Sequence, residues 1–140
     1  MAESTAITDG RRSWVLEDTG ARPLTINRVA DLHRQRWAEI TRVERHKWLV
    51  LARAAKVPAL QQAKITVTPL HKDRRAPQDV GACAAAAKAA IDGLVDARVL
   101  PDDSPAHLVA LTFLAPDVCG RDGSASPSRR WRERARASDD

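Results

Sequence analysis

Between Asp31 and about Lys56 the apolar residues recur at three- and four-residue spacing, through Trp37, Ile40, Trp48, Leu51 and Ala55, with Glu44 on the same line and Val43 and Val50 beside it. That period predicts a long amphipathic helix, with Asn27 or Asp31 as its N-cap and Pro58 as its stop. Its other side is crowded with Arg34, Arg36, Arg42, Arg45, Lys47 and Arg53. The period then changes to two. From Ala63 to Leu70, Ile65 and Val67 alternate with Lys64, Thr66 and Thr68, which predicts a strand with one covered face, and Pro69 points to an edge or a strand end. A polar, turn-prone stretch from His71 to Gln78 leads into a second helix from about Gly81 to Asp96, whose four alanines, Ala84 to Ala87, permit close backbone approach. The nearly unbroken apolar run from Leu108 to Leu114 predicts a central strand buried on both faces. Before the long helix, Ser13–Asp18 reads as a short strand closed by Thr19-Gly20, and residues 1–12 read as a flexible arm.

From Asp117 onward Gly, Ser, Pro, Arg and Asp dominate, which predicts a disordered basic tail over 117–140. The expected fold is therefore α/β (α+β), a small mixed sheet packed with two helices in one domain over 13–116. A chain of 140 residues has room for one such core.

Charge narrows the field less than it first suggests. The net charge is +5, but the segment after Gly120 contributes six arginines against four acids and leaves only +3 on the body. This permits a polyanionic partner without requiring one. Cys83 and Cys119 lie far apart with no Cys-x-x-Cys pair, so neither a zinc site nor a disulfide framework is expected. No apolar stretch approaches the length of a membrane span and the first residues lack an apolar leader, so the expectation is a cytoplasmic protein.

The residues with most chemistry lie between 72 and 103. Lys72, Arg74 and Arg75 precede Asp79; Lys88 sits in the middle of the alanine-rich helix; Asp102 and Asp103 follow its exit. Cations that hold phosphates beside carboxylates that hold a divalent metal are what cleavage of a phosphodiester requires. Spacing alone does not bring these acids together, because the turns before and after a helix lie at its opposite ends; the loop from Val99 to Ala106 has to run back along the helix. Each residue also has a plain structural reading. Asp79 is placed as an N-cap, Asp102-Asp103 after Pro101 as a turn, and Lys88 as the partner of Asp92 four residues on.

The block resembles the RusA-like crossover-junction endodeoxyribonucleases, the Holliday junction resolvases. Lys88-Ala-Ala-Ile-Asp92-Gly93-Leu94 is similar to that family's Lys-x-x-x-Asp-x-Leu, Asp102-Asp103 to its terminal Asp-Asp, and Pro23-Leu24-Thr25-Ile26-Asn27 to its Pro-x-Ser-x-Asn entry. The resemblance spans roughly residues 22 to 115. It implies a Mg²⁺-dependent endonuclease that cuts branched DNA as a homodimer, often in phage or prophage recombination. Asp79, Lys88 and Asp103 would then be catalytic, Asp79, Asp102 and Asp103 metal ligands, and Asn27, Lys72, Arg74 and Arg75 contacts to DNA. Two features depart from the pattern. Asp79-Val80-Gly81-Ala82 stands where the family has Asp-x-Asp-Asn, and Lys88 follows Asp79 by nine residues rather than six. A RusA-like protein that binds DNA structures without cutting them is the alternative, and a small basic interaction protein is a third reading.

Overall fold

The computed structural model describes residues 2–18, 33–71, 83–115 and 117–118. Strand β1 (Ala2–Thr8) and strand β2 (Ser13–Asp18) form an antiparallel hairpin, followed by helix α1 (Arg34–Ala54), strand β3 (Ala63–His71), helix α2 (Ala84–Asp96), strand β4 (Leu108–Phe113) and the short β5 (Asp117–Val118). The sheet order is β2-β1-β3-β4, with β5 beside β3; β1 is antiparallel to both neighbours, while β4 and β5 run parallel to β3. The expected small mixed sheet packed with two helices is what forms.

The N-terminal residues are not a flexible arm. Ala2–Thr8 lies between β2 and β3, pairing through Thr5 with Leu16 on one side and Val67 on the other. Ser, Thr and Glu made this segment read as solvated, but pairing on both sides encloses it, so Glu3 to Ile7 are all buried, with Thr5 and Ile7 fully enclosed on the core face. Asp9-Gly10 makes the turn: Asp9 Oδ1 accepts from the backbone N–H groups of Arg11 at 2.9 Å and Arg12 at 2.7 Å, and Gly10 takes a φ of 91°.

The helices cover the sheet face that carries Ile7, Leu16, Ile65 and Val67, and close a core around Trp48, Ala52, Ala87, Ala90, Ile91 and Leu94. Trp37 and Ile40 pack on Cys83 and Ala86, and further along both helices Arg45 to Leu49 meets Gly93, so α1 and α2 run side by side in the same sense. A Cβ on Gly93 would lie 2.4 Å from the Arg45 carbonyl oxygen and 2.8 Å from Trp48 Cβ. The two helix backbones therefore come close at Gly93.

Several expected details change. Helix α1 begins after His33 rather than at Asp31, and Asn27 and Asp31 lie outside the described residues. Val43 and Val50, expected to widen the buried stripe, are 60% and 49% exposed, because the sheet and α2 together cover only a narrow arc of the helix. Strand β4 is not buried on both faces: it pairs only with β3 among the described residues, and Val109 and Leu111 remain partly exposed. Pro69 sits in an interior strand instead. Its missing N–H is tolerated because the parallel neighbour changes there, β4 ending at Phe113 and β5 beginning opposite Leu70. The tail expected from Asp117 does not start there, because Asp117–Val118 pair with Leu70 and His71 as β5; residues 119–140 lie outside the described residues.

Candidate functional site

Lys88 stands on the second turn of α2, and the chain after the helix returns to meet it. The return is built by a tight helix end. Ala97 caps α2, Arg98 takes a left-handed φ of 60°, and the N–H groups of Arg98 and Val99 donate to Val95 and Leu94. Val99 and Leu100 then drop into the core, and the Val99 carbonyl accepts from Leu60 N–H at 2.8 Å. With those two anchored, Pro101 to Ser104 is directed back over the helix. Asp103 Oδ2 accepts a hydrogen bond from Lys88 Nζ across 15 residues of sequence, and Asp92 Oδ1 accepts from the same ammonium at 3.0 Å. The loop after α2 thus does run back along the helix, where it joins Asp103 to Lys88; the convergence of Asp103 with Asp79 lies outside the described residues.

The electrostatics follow from this contact. The bond to Asp103, then that to Asp92, holds the Lys88 pKa above its ordinary value, and the same bond to Lys88 holds Asp103 below the usual carboxylate range. The Lys88 and Asp103 side chains are 58% and 45% exposed, so solvent screens the pair and it adds little to fold stability. Asp102 takes the plain structural role: the Ser104 hydroxyl first, and then the Ser104 N–H that donates to its Oδ1 at 2.9 Å, lower its pKa and hold the turn. Asp92 and Asp103 nevertheless set two carboxylates on one ammonium, a local net charge of −1, with Asp102 next in sequence adding to the negative charge that Asp103 feels.

That surplus of carboxylate bears on the implied metal. Mg²⁺ usually takes one or two carboxylates and keeps several waters. Asp103 with Asp102 is an all-oxygen set of that kind, although no group of three or more metal-ligating side chains gathers among the described residues. Asp79 lies outside the described residues, as do Asn27, Lys72, Arg74 and Arg75.

A second ionic cluster went unread in the sequence. Glu3 is only 3% exposed on the core face of β1, opposite Asp18 of β2, and α1 brings Glu44 and Lys47 over the same place. Lys47 Nζ donates to Asp18 Oδ2 and, at 2.6 Å, to Glu44 Oε2. Burial works to lower the Lys47 pKa, but its bonds to Asp18 and Glu44 outweigh this and raise it. Burial and the nearby Glu44 push the Glu3 carboxyl up to about 7, against the opposing pull of Lys47 and a 3.4 Å hydrogen bond from Thr5 Oγ1. The available signal was Glu44, an acid on the apolar line of α1. It had meaning only once residues 2–8 were known to form a strand beneath it.

The two helices are also tied to each other by Arg45 and Asp96, with Nη2 to Oδ1 at 2.7 Å. No family model matches the chain, and neither a curated protein nor a solved structure matches it significantly.

Proposed function

We propose that this protein is a Mg²⁺-dependent, structure-specific endonuclease of the RusA-like kind, acting on branched DNA such as four-way junctions. The observation that carries the reading is the meeting of Lys88 with Asp103. A lysine and an acid distant in sequence share one exposed surface beside further carboxylates, where neither is needed to hold the fold. Acids facing a phosphodiester repel it unless a cation lies between, so a carboxylate-rich surface suits DNA only with a divalent ion bound. Asp103, with Asp102 and Asp79, would hold Mg²⁺, which when bound polarises the scissile phosphate and acidifies a water. Lys88 is poised to exchange its carboxylate partner for a phosphate oxygen. In a homodimer two such sites would face the two-fold symmetry of a junction.

Replacing Asp103 by Asn keeps the shape and removes the charge. Cleavage of a labelled junction in Mg²⁺ should fall about a hundredfold or more. Binding without Mg²⁺ should hold or tighten, since Lys88 loses one competing carboxylate. Intact cleavage in this variant and in Asp79→Asn would remove both acids from the mechanism. The second reading, junction binding without cleavage, is favoured by Asp79-Val80-Gly81-Ala82, which supplies one acid where a cleaving relative of this kind has two.

A further inference from the structure

Beside the helix pair lies an open groove of about 490 Å³, lined by one face of α1 from Trp37 to Leu49 and by Asp96 at the end of α2. Its volume falls within the range of roughly 300–1,000 Å³ typical of ligand sites. Its chemistry suits an anion with a flat ring attached. Arg42 and His46 are exposed and have no ion-pair partner among the described residues. Asp96, the acid of the lining among the described residues, is already neutralised by Arg45. Trp37 is half-buried, held against Cys83 and Ala86 yet still part of the groove wall. Thr41, between Trp37 and Arg42 along α1, completes this wall.

From these features we propose that the groove binds an unpaired nucleotide of a DNA strand, its phosphate held by Arg42 and His46 and its base laid against Trp37. An unattached guanidinium fits phosphate through its planar fork of donors, and base-on-indole stacking tolerates any sequence. An acidic peptide would use the arginine but leave the indole wall without a role. This inference rests on the reading of the chain as a DNA-acting protein, and it gives that reading a source of structure selectivity. Lys88, Asp92 and Asp96 follow at four-residue spacing on α2, so the Lys88 site and the groove's Asp96 lie along one side of that helix. Junctions and flaps expose unpaired nucleotides that intact duplex lacks.

The test uses the full chain and fluorescence anisotropy with a single-stranded oligodeoxynucleotide, an intact duplex and a four-way junction. Arg42→Ala combined with His46→Ala touches two exposed side chains outside the core and should leave folding intact. It should weaken single-strand binding about tenfold while changing duplex binding little. Arg53→Ala, which removes an exposed arginine of α1 outside the groove, should change neither. Equal losses for the two variants, or equal losses on single strand and duplex, would reduce the groove to diffuse positive charge and overturn the proposal. If the wild type binds junctions but the groove variant is unaffected on every substrate, the groove fails while the nuclease reading stands. Binding to no DNA at all would sink both, and competition by poly-glutamate but not by oligonucleotide would assign the groove to acidic peptides instead.

Discussion

At the scale of single residues, Glu3 offers the sharpest test. Its folded pKa of about 7 lies well above the ordinary 4.5, so between those values the folded protein holds a proton that the unfolded chain releases. The stability that Glu3 contributes is therefore fully present below about pH 4.5 and is lost as pH rises through 7. Each tenfold change in proton affinity corresponds to about 1.4 kcal/mol, so the whole loss is about 3 kcal/mol. Glu3→Gln removes the titration. Denaturant unfolding at pH 5 and pH 8 should give a difference between the two pH values that is smaller in the variant by roughly 2–3 kcal/mol. An identical pH dependence in the two proteins would mean that the burial of Glu3 does not govern its ionisation. Lys88 makes the complementary point. Exposed and doubly paired, it should cost little stability when changed to Ala, yet its loss should abolish junction cleavage, a separation readable by comparing unfolding midpoints with cutting rates.

At the scale of elements, the helix ends and the helix crossing carry the predictions. Both helices close with the same hydrogen-bond pattern, through Lys56 and Val57 after α1 and through Arg98 and Val99 after α2, and both put a non-glycine residue at positive φ. A left-handed conformation costs such a residue about 1–2 kcal/mol, while glycine adds about 0.4–1 kcal/mol of unfolded-chain entropy. Lys56→Gly and Arg98→Gly should each therefore raise stability by about 0.5–1 kcal/mol, seen as a higher denaturation midpoint at an unchanged slope. Gly93→Ala goes the other way. The backbone of α1 leaves no room for a methyl group, so it should cost about 1–3 kcal/mol by overpacking. Much of this level was legible in the sequence: the 3.6 period gave α1, the alternation of Ile65 and Val67 gave β3, and the run between residues 81 and 96 gave α2. The first strand was not, because Glu3 to Ile7 is buried throughout by its two neighbouring strands although Glu3, Ser4 and Thr5 are polar. Its Asp9-Gly10 turn was the local clue. The position of β4 at the side of the sheet was hidden for the opposite reason, since Val109 and Leu111 are apolar yet partly exposed.

At the scale of the whole molecule, a hairpin added to a strand–helix–strand unit gives one sheet face covered by two helices, with the candidate site where the chain leaving α2 doubles back. Of that site, the residue types were legible and the contact was not. Asp103 reaches Lys88 only because Val99 and Leu100 are anchored in the core and turn the following residues back, a tertiary effect that local spacing does not encode. The Glu3 cluster was illegible for the same reason, being assembled from two strands and a helix. The decisive question is whether the Lys88–Asp103 surface cuts branched DNA with a divalent metal. Its most direct test is incubation of the purified chain with an end-labelled synthetic four-way junction, with and without Mg²⁺, beside the Asp103→Asn variant. The expected result is paired nicks near the branch point that require Mg²⁺ and vanish in the variant. A wild-type protein that binds the junction but leaves it uncut in both Mg²⁺ and Mn²⁺, or a variant that cuts as well as the wild type, would contradict it.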